Sequence, residues 1–283
     1  MIHSDWHIHT DASYDAKLPL NTLIKRAREQ GLRGFGTTDH ANFNDAKFME
    51  NIRRSAANYR AAAESVPEMI LGVEFTPIAS PEYDYIARTG TREGYVPVPQ
   101  DTPYGIELAL TLNEMRTLGI RYAVGAAHWR TDVADVKAVD NGVDAQIREW
   151  FRQQMALAAD PRVTILGHPW SCNRSWYDDF SVIPRAMHDE LGANLLEHGK
   201  YIECNVNMLI SPSLSEFFRR QYAEFLRYMF EKGIPMTYGS DCHGRDSDTP
   251  DYPDHRTEAE KYLTAAGFRE GDFSEISPDK WIS

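Results

Sequence analysis

Thiolates are scarce in this chain. Its 283 residues include three cysteines, Cys172, Cys204 and Cys242, and no CxxC pair. An odd, sparse set without that spacing excludes a disulfide framework and a cysteine-type zinc site. None of the three is followed by an arginine six residues later, so a cysteine-nucleophile phosphate loop is absent as well. Long apolar runs are also missing. No stretch approaches the ~18 residues that span a bilayer. The opening residues, MIHSDWHIHTD, show no basic region leading into an apolar one, so a soluble, cytoplasmic protein with no membrane partner is the expectation. Positive charge is in deficit, with 30 Lys plus Arg against 42 Asp plus Glu and a formal charge of −12. That balance, without a basic stripe, argues against long nucleic acid as a partner, because nucleic acid is a polyanion.

What is present is an ordinary globular composition, 42% hydrophobic and 25% charged, with mean hydropathy −0.51. Disorder and fibre are thereby excluded. Short apolar strand candidates at residues 1–7, 34–38, 69–75, 121–127, 163–167, 201–206 and 235–239 alternate with helical patterns. The helical patterns cover residues 20–30, 46–66, 107–118, 143–159, 183–198, 213–231 and 257–266. Gly31, Gly119 and Gly233 stand as stops after three of them, and Pro67 and Pro161 after two more. Strands alternating with helices imply a parallel sheet, and seven such units imply closure into a barrel. The expectation is therefore an α/β fold, a distorted TIM-like (β/α)7 barrel occupying residues 1–283 as one domain. Residues 76–102, rich in Pro, Tyr and Gly, are expected as a loop insertion over the rim. Tyr83, Tyr85 and Tyr95 within it are able to stack on a ring.

The histidines follow the strands. His7 and His9 end the first, His40 the second, His128 the fourth, His168 the fifth and His243 the seventh. Glu74 ends the third and Asp241 joins His243 on the seventh. In a parallel barrel all these ends share one rim, where barrel enzymes build their sites. Imidazole with carboxylate suits Zn, Mn or Fe. His7 and His9, two apart on an extended strand, face the same way, and Asp241 and His243 repeat the pattern. More donors gather than one tetrahedral ion can use, so two or three divalent transition-metal ions are implied, with Glu74 the natural bridge. His3, His188, His198 and His255 lack this setting and read as surface or structural residues.

The motifs HIHTDAS, TTDH, GVEF, GAAHW, GHPW and GSDCH, in this order, resemble those of the PHP (polymerase and histidinol phosphatase) superfamily. The resemblance implies a distorted (β/α)7 barrel with a trinuclear metal centre that hydrolyses phosphoesters. It would place one ion on His7, His9, Glu74 and Asp241, a second on Glu74, His128 and His168, and a third on His40 and His243. Asp15 falls where many relatives carry a further ligand to the third ion. Asp5 and Asp39 would orient imidazoles. The expected substrate is a small phosphomonoester, such as histidinol phosphate or a nucleotide. The segments IECNVNMLISPS and GIPMTYGSDCH are similar to the histidinol-phosphatase branch. Asp241 or His243 would assist the leaving alkoxide. Arg130, Arg174 and Arg245, each a few residues past a ligand, would clamp the phosphate.

Other readings are weaker. Binuclear amidohydrolases also combine HxH with a barrel but commonly use a strand-end lysine, and here Lys137 and Lys200 sit elsewhere. Asp246–Thr249 spells DxDxT but lies in a polar loop and reads as a turn. A non-catalytic metal-binding PHP module would be expected to have lost rim ligands.

Overall fold

Apolar segments too short for helices pair side by side, and the helical segments between them cover the outside. The computed structural model describes residues 1–97, 102–131, 142–171, 178–244, 252–276 and 282. Seven parallel strands run in sequence order: β1 Ser4–Asp5, β2 Gly34–Thr37, β3 Met69–Phe75, β4 Tyr122–Gly125, β5 Ile165–Leu166, β6 Tyr201–Asn205 and β7 Met236–Gly239. A further two-residue strand, His40–Ala41, pairs with β3. The two edges approach each other. Trp6 N donates to Tyr238 O at 2.9 Å, Asp241 N to His7 O at 2.7 Å and His9 N to Cys242 O at 2.9 Å. The result is the expected parallel, nearly closed barrel.

The barrel interior is packed rather than hollow. Tyr122 on β4 points inward, and its hydroxyl donates to Trp6 O at 2.8 Å while the two rings meet edge-on. Gly36 on β2 and Gly72 on β3 make room for it; a Cβ at either position would collide with the phenol. Outside, a continuous apolar core joins the strands to the helices, with Trp150, Phe218, Tyr222 and Leu226 almost fully buried.

Helix boundaries follow local chemistry. Asp45 caps Ala46–Ala62 by accepting from Phe48 N, and Ser215 caps Glu216–Glu231 by accepting from Phe218 N. The pattern at 107–118 predicts too long a helix. The structure starts it at Leu112, because Thr111 and Glu114 form a capping box and Ile106–Glu107 pairs instead with Ile78–Ala79. Residues 76–102, expected as a loop, hold that strand and a helix, Ser80–Thr89. Pro81 opens the helix and Gly90, at φ 76°, closes it, and in a sequence such punctuation looks like irregular chain. The insertion packs beside the rim: Asn44 Nδ2 donates to Tyr83 O, and the Arg92 guanidinium lies 4.3 Å from the Phe43 ring centroid.

His188 belongs to this packing. It is 7% exposed, stacks on Phe180 and meets Trp170 edge-on. Burial and then the nearby Arg185 push its pKa down to about 4. The unfolded chain therefore takes up a proton below pH 6.5 that the native state refuses until about pH 4, and stability falls across that window. His188→Phe is expected to lose about 2 kcal/mol less stability than the native chain between pH 7 and pH 4.5. Paired urea titrations at the two pH values check this, and equal losses would contradict it.

Candidate metal centre

The C-terminal ends of the strands deliver six imidazoles and three carboxylates to one spot. Glu74, near the end of β3, is fully buried and occupies its middle. Its Oε1 lies 3.2 Å from His128 Nε2 and 3.1 Å from His168 Nε2. Its Oε2 lies 3.3 Å from both His7 Nε2 and His9 Nε2 and 2.9 Å from His40 Nδ1. Asp241 Oδ1 lies 3.6 Å from His7 Nε2 and 3.4 Å from His9 Nε2. Asp15 Oδ2 stands 3.4 Å from His40 Nε2 and 3.3 Å from His243 Nε2. Each of the three expected ligand sets is thus brought together, Asp15 with the third.

Backbone geometry at the rim serves this convergence. His168, Trp170 and Asp241 have positive φ, at 20°, 61° and 52°. Non-glycine residues in that region carry strain of about 1–3 kcal/mol each and persist where surrounding structure enforces them. Here the turns after β5 and β7 swing His168 and Asp241 toward Glu74.

Hydrogen bonds around the cluster set the tautomers. Thr76 Oγ1 donates to Asn42 Oδ1 at 2.6 Å and so accepts from His128 Nδ1 at 2.8 Å. His168 Nδ1 pairs with Ser171 Oγ at 2.7 Å, His7 Nδ1 with Glu203 Oε1 at 2.7 Å, and His243 Nδ1 with Asp241 O at 2.9 Å. With Nδ1 carrying the proton, each Nε2 presents a lone pair to a carboxylate oxygen. Lone pair against lone pair at just over 3 Å repels unless a cation stands between them. His9 Nδ1, His40 Nδ1 and Glu74 Oε2 are moreover buried without a hydrogen bond. Three groups, His7/His9/Asp241, His9/Asp15/His40/His243 and His40/Glu74/His128, each offer donor atoms within 4.8 Å of one another. These residues fit divalent ions.

Titration behaviour shows the same demand for positive charge. Burial would lower His40, but Glu74 and Asp15 outweigh it and raise its pKa to about 10. His7 and His168 are raised against burial, His7 by Glu203, Glu74 and Asp241 and His168 chiefly by Glu74. His9 is lowered by burial and then by the neighbouring His243 and His40, and His128 is lowered by burial despite Glu74. Burial would raise Glu74 and Asp241, yet the facing histidines hold both well below the usual carboxylate range. Asp15 is lowered in the same way by His243 and His40.

Several supporting residues differ from expectation. Asp5 Oδ1 accepts from the backbone N–H groups of His7 and Ser240, and Asp39 accepts from the N–H and hydroxyl of Thr10. Both tie down segments that carry ligands. The carboxylate that orients His7 is Glu203 on β6, which sequence reasoning missed; it also accepts from His168 N. Gly239 on β7 leaves room for it, since a Cβ there would collide with the Glu203 carboxylate. Asn205 and Asn207 were missed too. Their amides donate to Asp241 Oδ2 at 3.4 and 3.3 Å.

The cluster opens into a cavity of about 270 Å³ whose wall includes Tyr14, Asp15, His40, His128, His168, Asp241 and His243. Arg130, expected at the phosphate, is 7% exposed and lines a neighbouring cavity with Trp129, Arg92 and Glu82 instead. The chain on either side of it is tied to the helix Val143–Ala159, where Gln153 donates to Trp129 O and Glu149 accepts from Thr131. Arg174 and Arg245 lie outside the described residues. A larger hollow, about 670 Å³, is lined by Glu216, Arg220, Glu258 and Lys261, with no histidine among the described lining residues.

The PHP domain family profile matches residues 5–207. The chain belongs to the PHP-domain family. The matched stretch stops short of Asp241 and His243, which the barrel closure carries to the same rim as His7. No curated protein matches. Among solved structures, histidinol phosphate phosphatase from Lactococcus lactis subsp. lactis Il1403, complexed with Zn, L-histidinol and phosphate, is 17% identical with a TM-score of 0.65. The match covers 99% of this chain and 98% of that one, and it shows a shared fold. The metal-dependent tyrosine phosphatases YwqE of Bacillus subtilis and CpsB of Streptococcus pneumoniae match at 14% identity and TM-score 0.45, over 94% of this chain and 88% of that one. An organophosphorus hydrolase mutant from Deinococcus radiodurans matches at 12% identity and TM-score 0.45, over 98% and 92%. Among the described residues, no helix is long and apolar enough to cross a membrane.

Replacing a partner that orients a metal-binding imidazole typically costs about 10–100-fold in metal affinity. Glu203→Ala is expected to weaken metal binding by that factor in a competitive chelator titration, and Glu203→Gln by less. Unchanged affinity in both would remove Glu203 from the centre.

Proposed function

We propose that this PHP-domain protein is a metal-dependent phosphoesterase that hydrolyses a small phosphomonoester. The observation that carries the reading is the set of Nε2 lone pairs aimed at Glu74 and Asp15 from rings whose Nδ1 atoms are already committed. The proposed ligand sets are His7, His9, Glu74 and Asp241; Glu74, His128 and His168; and His40, His243 and Asp15. Divalent zinc, manganese or iron held there would activate a water near neutral pH and supply positive charge for the phosphate oxygens.

The chain's own groups do the rest. Glu203 fixes the His7 ring, and Asn205 and Asn207 hold Asp241 Oδ2 while Oδ1 faces His7 and His9. Asp241 or His243, both in the wall of the cavity over the cluster, would assist the leaving alkoxide. A volume of about 270 Å³ suits a phosphate with a modest organic group, and the formal charge of −12 disfavours long nucleic acid. We place residues 1–283 in one catalytic barrel domain, since β7 returns Asp241 and His243 to the site begun by β1.

Metal-supplemented protein is expected to release phosphate from one or more of histidinol phosphate, AMP or a sugar phosphate, and to lose that activity with a chelator. His9→Ala and Glu74→Ala should each lower it by at least about 100-fold while circular dichroism stays native. Less than one ion per chain by elemental analysis would defeat the trinuclear centre, and ammonia release without phosphate would mark an amidohydrolase instead.

A further inference from the structure

Most residues that line the cavity over the cluster are polar. Apart from the histidines and carboxylates, its described lining holds Ser171 and Asn205, both already hydrogen-bonded, and only Tyr14, Ala127 and Met208 as apolar surface. Met208 is buried, whereas Tyr14 is 48% exposed, an uncommon degree for a large ring. Its position is nevertheless defined. Phe48 meets it edge-on at 5.3 Å, and the His40 ring lies 5.5 Å away. Asn42 Nδ2 donates to its hydroxyl at 3.4 Å, and the Asn42 amide is itself oriented because Oδ1 accepts from Thr76. The Lys47 ammonium stands 6.0 Å from the ring centroid. A ring braced through its edge and its hydroxyl, half open to solvent and forming part of the cavity wall, is pre-organised as a stacking face.

Resting on the phosphoesterase reading, we propose that Tyr14 is a specificity-determining residue: its ring receives the organic half of the substrate, which is a phosphomonoester carrying a planar aromatic or heteroaromatic group. The phosphate meets the cluster below, so the organic group is left to the apolar surface at the mouth. Phe48 and Phe43 lie buried behind Tyr14, with ring centroids 5.6 Å apart, and back its ring from the core.

Calorimetry with two non-hydrolysable probes, phenylphosphonate and methylphosphonate, tests this on metal-loaded protein. The native chain is expected to prefer phenylphosphonate by about ten-fold, the scale of one aromatic contact. Tyr14→Leu should bring that ratio close to one while leaving methylphosphonate affinity and metal content unchanged, and Tyr14→Phe should keep it. Equal affinities in the native chain, or a ratio untouched by Tyr14→Leu, would overturn the role of Tyr14. Failure of both phosphonates to bind metal-loaded protein would instead overturn the phosphoesterase reading, and the role of Tyr14 with it.

Discussion

A buried carboxylate facing five imidazoles organises this protein. Glu74 has no access to solvent, and taking an ionised group out of water costs several kcal/mol unless charge of the opposite sign surrounds it. The rim answers that demand from every side: His7 and His9 from β1, His40 beside β3, His128 after β4 and His168 after β5. The same convergence of imidazole nitrogens and carboxylate oxygens within 4.8 Å of one another forms groups that could hold metal ions. The acidic excess of the chain therefore includes carboxylates whose charge is meant to be met inside, not at the surface.

Everything below the rim keeps those donors in register. Parallel pairing puts all strand ends on one side, and the edge contacts of β7 with β1 place Asp241 beside His7. Tyr122 fills the interior where Gly36 and Gly72 leave space, so the strands cannot slide without unpacking the phenol. Strain is confined to the turns at His168 and Asp241, where it aims two of the donors. A ring of polar partners, Thr76, Ser171, Glu203, Asn205 and Asn207, then converts approximate placement into defined tautomers and lone-pair directions.

The division of labour around the cavity follows from this. Groups that hold charge lie at the bottom and are locked by neighbours, whereas the mouth carries Tyr14, an exposed ring fixed at its edge. The neighbouring cavity, with Trp129 and Arg130, belongs to a chain segment anchored by Glu149 and Gln153 rather than by the metal centre. On the proposed reading, binding of phosphate and recognition of the organic group can thus vary separately on one scaffold.

The alternation of apolar strands and amphipathic helices, and the placement of histidines at strand ends, already determined the barrel and the cluster from sequence. Those signals are local: a side-chain period reveals an element, and an element's C-terminal end has one address in a parallel barrel. The helix Ser80–Thr89 was hidden because its proline start and glycine stop look like loop punctuation. Glu203 was hidden because an acidic residue within an apolar strand has no distinctive spacing; its meaning depends on His7, 196 positions away. Arg130 followed His128 by two residues yet turned into another cavity, since side-chain direction after a strand is set by what the following chain packs against. Tertiary structure alone decided which carboxylate orients which ring, which arginine faces which hollow and where an exposed tyrosine stands. Hydrogen bonds and lone pairs act over about 3 Å, and only the folded chain determines which groups come that close.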